Sequence, residues 1–362
     1  MDRHLRSPAG VGAFGLLALA VGLVLACSPA ASGANPAPQQ VAGPAAEAPA
    51  PAAPPAPVRL RVAYSQVYPG QTVLWTTQEA GLFARHGLDV ELSYIASSQT
   101  VAAVLAREVD IALGGGYAVI NARLSGSDLV MFFGLVTWFP YELMVAPEIE
   151  SVQDLRGKAL GVSRFGSSSD VATRLALQQF GLVPERDVII VQTGSLQERI
   201  AAMRAGAVVG GMASPPDPTI LRRLGFKSIL DLGSSGEQEL NNIAFASAAW
   251  LRENEAAAQA FVDALLEGIH FAKTNREFTE RVLAQYLKLD DAEALADSYD
   301  HFVGQHLERV PDPGREGARK YLQSQAATDP RAAQARVEDF FDLRFLERAV
   351  ASGLIDRLYG SE

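Results

Sequence analysis

The chain has 362 residues, 48% of them apolar, and its 41 acidic and 31 basic side chains give a formal net charge of −10. This length is ample for two lobes, and the acidic balance argues against nucleic acid as a partner, because duplex binding needs a clustered basic face. Cys27 is the only cysteine, and it is predicted below to be modified. We therefore expect no disulfide, thiolate metal site or cysteine nucleophile in the folded part.

The amino-terminal segment has the pattern of a secretory signal. Arg3 and Arg6 precede a 16-residue apolar run, Val11 to Ala26, which is too short and wrongly flanked for a stable membrane span. The letters LVLAC, which end at Cys27, resemble the lipobox of bacterial lipoproteins. That resemblance implies removal of residues 1–26 and acylation of Cys27, which would anchor the protein to a membrane outside the cytoplasm. The alternative is an ordinary signal peptide with an accidental cysteine.

Residues 27–57 are predicted to form a tether. From Ser28 to Pro57, 21 of 30 residues are Ala or Pro and almost none is charged, so this stretch cannot form a core. Pro-rich chain spans about 3.1 Å per residue, which would hold a domain several tens of Å from a membrane surface. A merely disordered leader is the alternative.

From Val58 onward, short apolar runs alternate with helix-length segments. The sequence predicts strands at Arg59–Ser65, Leu88–Tyr94, Asp110–Leu113, Leu129–Phe133, Ala159–Ser163, Val188–Gln192, Val208–Ala213 and Lys227–Leu232. It predicts helices at Gln71–Ala84, Thr100–Arg107, Asp170–Phe180 and Leu196–Ala205. The alternation indicates α/β lobes with parallel-type sheets covered by helices, and beyond Asn254 the pattern is entirely helical.

Three runs carry a family resemblance: EAGLFARHGLDVEL (79–92), REVDIALGGG (107–116) and SVQDLRGKALGVSRFGSSSD (151–170). They resemble segments of ABC-importer solute-binding proteins of the nitrate, sulfonate, taurine and thiamine-pyrimidine-precursor type. The resemblance implies a two-lobe periplasmic binding protein fold of type II with a hinge, no cofactor, a small-molecule ligand, and a permease and an ATPase as partners. We expect a monomer, with residues 58–147 and 245–362 in the first lobe and 148–244 in the second.

The loop after the predicted strand Ala159–Ser163 is the strongest candidate for ligand binding. Its serine-rich sequence opens a helix, and N–H groups at a helix N-terminus attract negative or strongly polar groups. Serines that merely cap the helix are the alternative, and the match to the family's ligand loop favours binding. The predicted contacts here are Ser163, Arg164, Gly166, Ser167, Ser168 and Ser169.

Further contacts are predicted where the other strands end, because ligands of open α/β sheets collect at the carboxyl ends of strands. These residues supply hydroxyls, amides, aromatic rings and close backbone approach: Gln66, Tyr68, Ser97, Gly115, Gly116, Tyr117, Trp138, Thr193, Ser214 and Asp217. For Trp138, a role in the hinge is the alternative to stacking on the ligand. Glu142 is favoured as a solvated hinge residue. Trp75 is as compatible with the core as with the pocket wall.

An enzyme of the same fold and a sensory receptor are the competing functions. The five histidines, His4, His86, His270, His301 and His306, are scattered, so a shared metal site is not predicted. The fungal thiamine-pyrimidine synthases of this fold use a cysteine-rich motif that one cysteine cannot supply. Menaquinone-pathway enzymes act in the cytoplasm, whereas this chain has an export signal. The sequence therefore predicts a receptor for a small organic ligand, sulfonate-like or heteroaromatic, outside the cytoplasm.

Overall fold

The computed structural model describes residues 56–360. Within this range the strands are β1 (Val58–Tyr64), β2 (Leu88–Tyr94), β3 (Ile111–Gly114), β4 (Leu129–Trp138), β5 (Glu142–Val145), β6 (Ala159–Val162), β7 (Ile189–Gln192), β8 (Gly210–Ala213), β9 (Lys227–Asp231) and β10 (Gln238–Ser247). The predicted signal segment and Cys27 lie outside the described residues, as does the predicted tether up to residue 55.

Fifteen α-helices surround these strands in the same range. They are α1 (Thr72–Glu79), α2 (Leu82–Arg85), α3 (Ser97–Leu105), α4 (Gly116–Leu124), α5 (Ser168–Gln179), α6 (Leu196–Arg204), α7 (Asp217–Arg223), α8 (Ala248–Glu253), α9 (Glu255–Thr274), α10 (Arg276–Leu287), α11 (Ala292–Tyr299), α12 (Arg315–Gln325), α13 (Pro330–Gln334), α14 (Arg344–Ala351) and α15 (Leu354–Tyr359). The predicted helical carboxyl-terminal region is thereby confirmed.

The strands form two five-stranded sheets, in the orders β2-β1-β3-β10-β4 and β7-β6-β8-β5-β9. In each sheet the first three strands are parallel. One strand, β10 in the first sheet and β5 in the second, runs antiparallel to both of its neighbours. The predicted architecture of two helix-covered lobes is confirmed, and each largely parallel sheet contains one antiparallel strand.

The lobe boundaries expected at 147/148 and 244/245 need correction. All eight predicted strands are present, but β5 and β10 were not predicted. The chain enters the second sheet at Glu142 and returns to the first at Gln238, so the crossovers are residues 139–141 and 232–237. Both expected boundaries therefore lie several residues too late, because each follows a strand that already belongs to the other sheet.

Apolar side chains cover both faces of the first sheet. One layer joins the sheet to α1, α9 and α14, and the other joins it to α3, α4 and α12. The second sheet has cores of its own. Trp75 is fully buried and stacks on Tyr286 with ring centroids 4.6 Å apart, which assigns it to the core and not to a pocket wall.

The turn from α2 to β2 depends on Gly87. Its φ of 75° lies in the left-handed region that favours glycine. In the strand that follows, Leu88 and Val90 are buried, whereas Asp89 and Glu91 are exposed. Because buried and exposed side chains alternate, one face of the strand packs on the core.

The lobes also touch each other away from the crossovers, where α7 of the second lobe meets α11 of the first. Arg223 forms ion pairs with Asp291 and Glu293. The Thr219 hydroxyl donates to Asp297 Oδ2 at 2.7 Å. This patch, the α7–α11 contact, is a second connection between the lobes.

Candidate functional site

A cavity of about 410 Å³ lies between the lobes, at the carboxyl ends of β1, β2, β6 and β7. Most of its lining is polar, and no His, Cys, Asp or Glu occurs among the lining residues that the structure describes. The lining residues are Ser65, Gln66, Val67, Tyr94, Ala96, Tyr141, Ser163, Arg164, Ser167, Ser168, Ser169, Gly194 and Ser195. Since both lobes and a crossover contribute, a ligand here would contact all three.

The β6–α5 loop is held by its own hydrogen bonds. The Ser163 N–H donates to Ser169 Oγ at 3.0 Å, and the Gly166 N–H donates to Asp170 Oδ2 at 2.8 Å. Gly166 has a φ of 76°, so it serves the turn. Ser167 precedes α5 without capping it through its side chain. The backbone N–H groups of Ser168 and Ser169 have no acceptor among the described residues and stay available at the cavity edge.

The buried side chain of Arg199 contacts this loop. Arg199 is only 5% exposed, and it donates to Ser163 Oγ at 2.9 Å and to the Met212 carbonyl. Desolvation lowers the pKa of Arg199. Nearby Asp217 has its pKa raised by burial to about 7, and the positive charge of Arg199 opposes that rise. Asp217 is not among the described residues that line the cavity.

A cluster of buried and partly buried polar side chains adjoins the cavity, and we call it the polar cluster: Tyr68, Tyr117, Tyr141, Glu239 and Asn241. The Tyr68 hydroxyl donates to Asn241 Oδ1 at 2.7 Å, and Asn241 Nδ2 donates to the Tyr141 hydroxyl at 3.4 Å. The Tyr117 hydroxyl donates to Glu239 Oε2 at 2.7 Å. Tyr141 also lines the cavity, so the cluster reaches it through that ring.

The structure brings six of the sixteen predicted ligand contacts together at the cavity. They are Gln66, Ser163, Arg164, Ser167, Ser168 and Ser169. Two more, Tyr68 and Tyr117, lie in the adjoining polar cluster. Gly166 shapes the loop, and Thr193 donates to the Val162 carbonyl at 3.2 Å while its neighbours Gly194 and Ser195 line the cavity.

Other predicted contacts have structural roles. Trp138 stacks on His306, with centroids 5.2 Å apart, and is not among the described lining residues. A Cβ at Gly116 would lie 2.8 Å from Met131 Sδ and 2.9 Å from Leu240 Cβ, so this glycine permits close packing of α4 on the sheet. Gly115 precedes that helix.

The remaining predictions concern helix starts and the hinge. Ser97 begins α3, and the Ser214 carbonyl accepts from the Asp217 N–H at 3.0 Å before α7. Glu142 pairs with Arg222 at 2.5 Å and is therefore not a freely solvated hinge residue.

Several cavity residues were not predicted from the sequence. Tyr94 is the last residue of β2 and Ser195 comes shortly after β7, so the strand-end rule could have found them. Ser65 is 3% exposed and its hydroxyl has no hydrogen-bond partner in the part of the chain that the structure describes. Arg199 and Glu239 had no local signal, because only their tertiary surroundings make them unusual.

Neither a metal site nor a membrane span occurs in the described part. No group of three or more His, Cys, Asp or Glu side chains between residues 56 and 360 is placed to hold a metal ion. No helix in that range has the length and apolarity needed to cross a bilayer.

A family model described as NMT1/THI5 like matches residues 69–277. A Brucella abortus protein, named only as a binding protein, is 25% identical over 242 residues, which are 65% of this chain and 73% of that protein.

Solved structures share the fold at low identity. The periplasmic aliphatic sulphonate binding protein SsuA of Escherichia coli has a TM-score of 0.67 and 20% identity, over 79% of this chain and 92% of its own. The periplasmic nitrate-binding protein NrtA of Synechocystis has a TM-score of 0.65 and 15% identity, over 84% and 92%. DszB in complex with biphenyl-2-sulfinic acid has a TM-score of 0.61 and 17% identity, over 81% and 99%.

Proposed function

Since the chain belongs to the NMT1/THI5-like family, we propose that it is the extracytoplasmic solute-binding protein of an ABC import system. It captures a small organic ligand between its lobes and delivers it to the permease. The fold, shared with periplasmic binding proteins, supports this role. The observation that carries the proposal is the polar cavity lined by both lobes, because a ligand that contacts both stabilises the closed form.

The ligand carries an oxyanion, such as a sulfonate or carboxylate, on a small organic frame. The N–H groups of Ser168 and Ser169, which have no acceptor among the described residues, supply donors, and buried Arg199 adds positive charge near them. The rings of Tyr94 and Tyr141 supply flat apolar surface. Nitrate alone would leave those rings without contact.

The protein binds its ligand without converting it. None of the described lining residues is a His, Asp, Glu or Cys that could act on the ligand itself as a general base. Incubation of each bound compound with the purified protein, followed by mass spectrometry, should return that compound unchanged. Recovery of a new compound would establish an enzyme instead.

Native mass spectrometry of the purified protein should reveal any bound guest, and a thermal-shift panel should then identify the ligand class. The panel contains alkane- and arenesulfonates, aromatic carboxylates, pyrimidines and flavins. A ligand at about 100 times its Kd stabilises the fold by about 2.7 kcal/mol. Stabilisation by anionic members supports the proposal, and a panel without any binder contradicts it.

Replacing Ser168 by leucine should weaken binding of the best panel member about 10- to 100-fold. Leucine fills part of the cavity and removes a hydroxyl, and lost hydrogen bonds to a charged group cost roughly 1.5–3 kcal/mol. Isothermal titration measures the change. Ser352→Leu, at an exposed serine after α14, is the control and should keep the wild-type Kd. Equal affinities for both variants would remove the loop from the site.

Cys27→Ser should release the protein from the membrane fraction, since the lipidation proposed for Cys27 needs its thiol. Immunoblots of membrane and soluble fractions measure the change, and Ser28→Ala is the matched control that should stay anchored. Retention of the Cys27→Ser protein in the membrane fraction would count against a lipid anchor.

A further inference from the structure

One buried acid next to the cavity has a free oxygen. Glu239, in β10, is fully buried, and its Oε2 accepts from Tyr117 at 2.7 Å. Oε1 has no partner at hydrogen-bond distance among the described residues. The nearest cavity-lining neighbours are Ser168, which approaches closely enough to lower the pKa of the carboxyl, and Tyr141. Glu239 is therefore separated from the cavity by one layer of hydroxyl-bearing side chains.

Between residues 56 and 360, no Lys, Arg or His forms an ion pair with this carboxyl. The groups that face it are the phenols of Tyr117 from α4, Tyr68 from the loop after β1 and Tyr141 from the crossover, with the Ser168 hydroxyl from α5. Burial raises the pKa of Glu239 to about 8. The charged groups beyond Tyr141 are Arg199 and Asp217, which interact with each other. At neutral pH the acid is mainly uncharged.

The charge of this acid decides what the Ser168 hydroxyl can offer. A hydroxyl has one hydrogen to donate. Beside a carboxylate, Ser168 donates that hydrogen inward, because hydrogen bonds to ionised acceptors are the stronger ones. Beside a neutral acid, which can itself donate through Oε1, the Ser168 hydrogen is free to turn toward the cavity.

We propose that Glu239 is a positioning residue for oxyanion binding: its neutral form leaves the Ser168 hydroxyl free to donate to a bound oxyanion, and its ionised form withdraws that hydrogen and repels the anion. This inference rests on the proposed function of the cavity as an oxyanion site. It assigns to the polar cluster a direct effect on affinity, although Glu239 itself does not line the cavity.

Benzenesulfonate is the probe, because the sulfonate keeps its negative charge throughout the range tested. If only the protein with neutral Glu239 binds benzenesulfonate, the Kd of this probe should rise about tenfold between pH 7 and pH 9. Isothermal titration of the full-length protein measures Kd at both values. Titration in two buffers of different ionisation enthalpy also measures the proton uptake that should accompany binding at pH 9.

In the Glu239→Gln variant, Kd should be the same at pH 7 and pH 9 and binding should take up no proton, because the amide does not titrate. Glu237→Gln is the matched control, since this partly exposed acid pairs with Lys320 and should leave the ratio at about ten. Tyr117→Phe removes a hydrogen bond that lowers the pKa of Glu239, so the pH at which affinity falls should move upward. A merely structural role for Tyr117 would not move that midpoint.

The outcomes separate this inference from the proposed function. If benzenesulfonate binds and the Kd ratio of Glu239→Gln equals that of the wild type, the inference is wrong and the oxyanion site stands. A Kd that falls as pH rises would also overturn the inference, because tighter binding at high pH is expected of a ligand that donates to an ionised carboxyl. If no panel anion binds at any pH, the oxyanion site itself is wrong and the inference falls with it.

Discussion

Replacing Arg199 by methionine is expected to lower the free energy of unfolding by about 1.5–3 kcal/mol, the range for losing hydrogen bonds made by a charged group. Arg199 is 5% exposed and holds both Ser163 Oγ and the Met212 carbonyl. Methionine fills the space of the side chain but supplies no donor, and it leaves Asp217 without its cation. Urea unfolding at pH 7 measures the loss, and ligand affinity should fall as the β6–α5 loop loses its support.

Arg204→Met is the matched control for this experiment. Arg204 ends the same helix, α6, and is exposed, so its loss should change stability by no more than about 0.5 kcal/mol. Adding Asp217→Asn to Arg199→Met should recover part of the stability, because the second change removes the acid left unpaired. Equal unfolding free energies for the Arg199 and Arg204 variants would contradict the structural role given to Arg199.

Glu239 should make the wild-type protein less stable at high pH. Its pKa is raised from 4.5 in the unfolded chain to about 8 in the folded one, so folded protein holds a proton that unfolded protein releases. The stabilisation is complete below about pH 4.5 and is lost as pH rises through 8, at about 1.4 kcal/mol per pH unit. The total is several kcal/mol, at most about 5.

Glu239→Gln isolates this effect from all other titrating groups. The unfolding free energy of the wild type minus that of the variant should decrease between pH 5 and pH 8 and level off above it. Chemical denaturation at each pH unit measures the difference, and Glu237→Gln should give no such trend. A difference that stays constant with pH would show that Glu239 is ionised throughout.

The sequence predicts most strands of this fold, and the two that it misses have a common physical cause. In β10 the side chains of Glu239, Asn241 and Asn242 are buried, so the strand lacks the alternation of apolar and polar residues that marks a half-buried strand. Their partners come from far along the chain: Asn242 bonds Gln71, 171 residues away. Local pattern cannot show such partners. The other missed strand, β5, has four residues and directly follows Pro140 and Tyr141.

The same limit applies to the site. The loop from Ser163 to Ser169 could be predicted, because a strand, a glycine turn and a serine-rich helix start are consecutive in sequence. Arg199 could not, because its helix resembles an ordinary amphipathic surface helix and only the fold buries it. The contact of Trp138 with His306 could not be predicted either, because His306 comes from a distant segment of the chain.

The α7–α11 contact makes ionic strength a means of controlling how firmly the lobes hold together. Arg223 and Glu293 have side chains 46% and 72% exposed, so dissolved salt screens their attraction, whereas the crossovers are covalent and unaffected. If the lobes separate at the α7–α11 contact when a guest leaves, release breaks Arg223 from Asp291 and Glu293. We then expect the off-rate to be faster in concentrated salt than in dilute buffer, even for an uncharged guest.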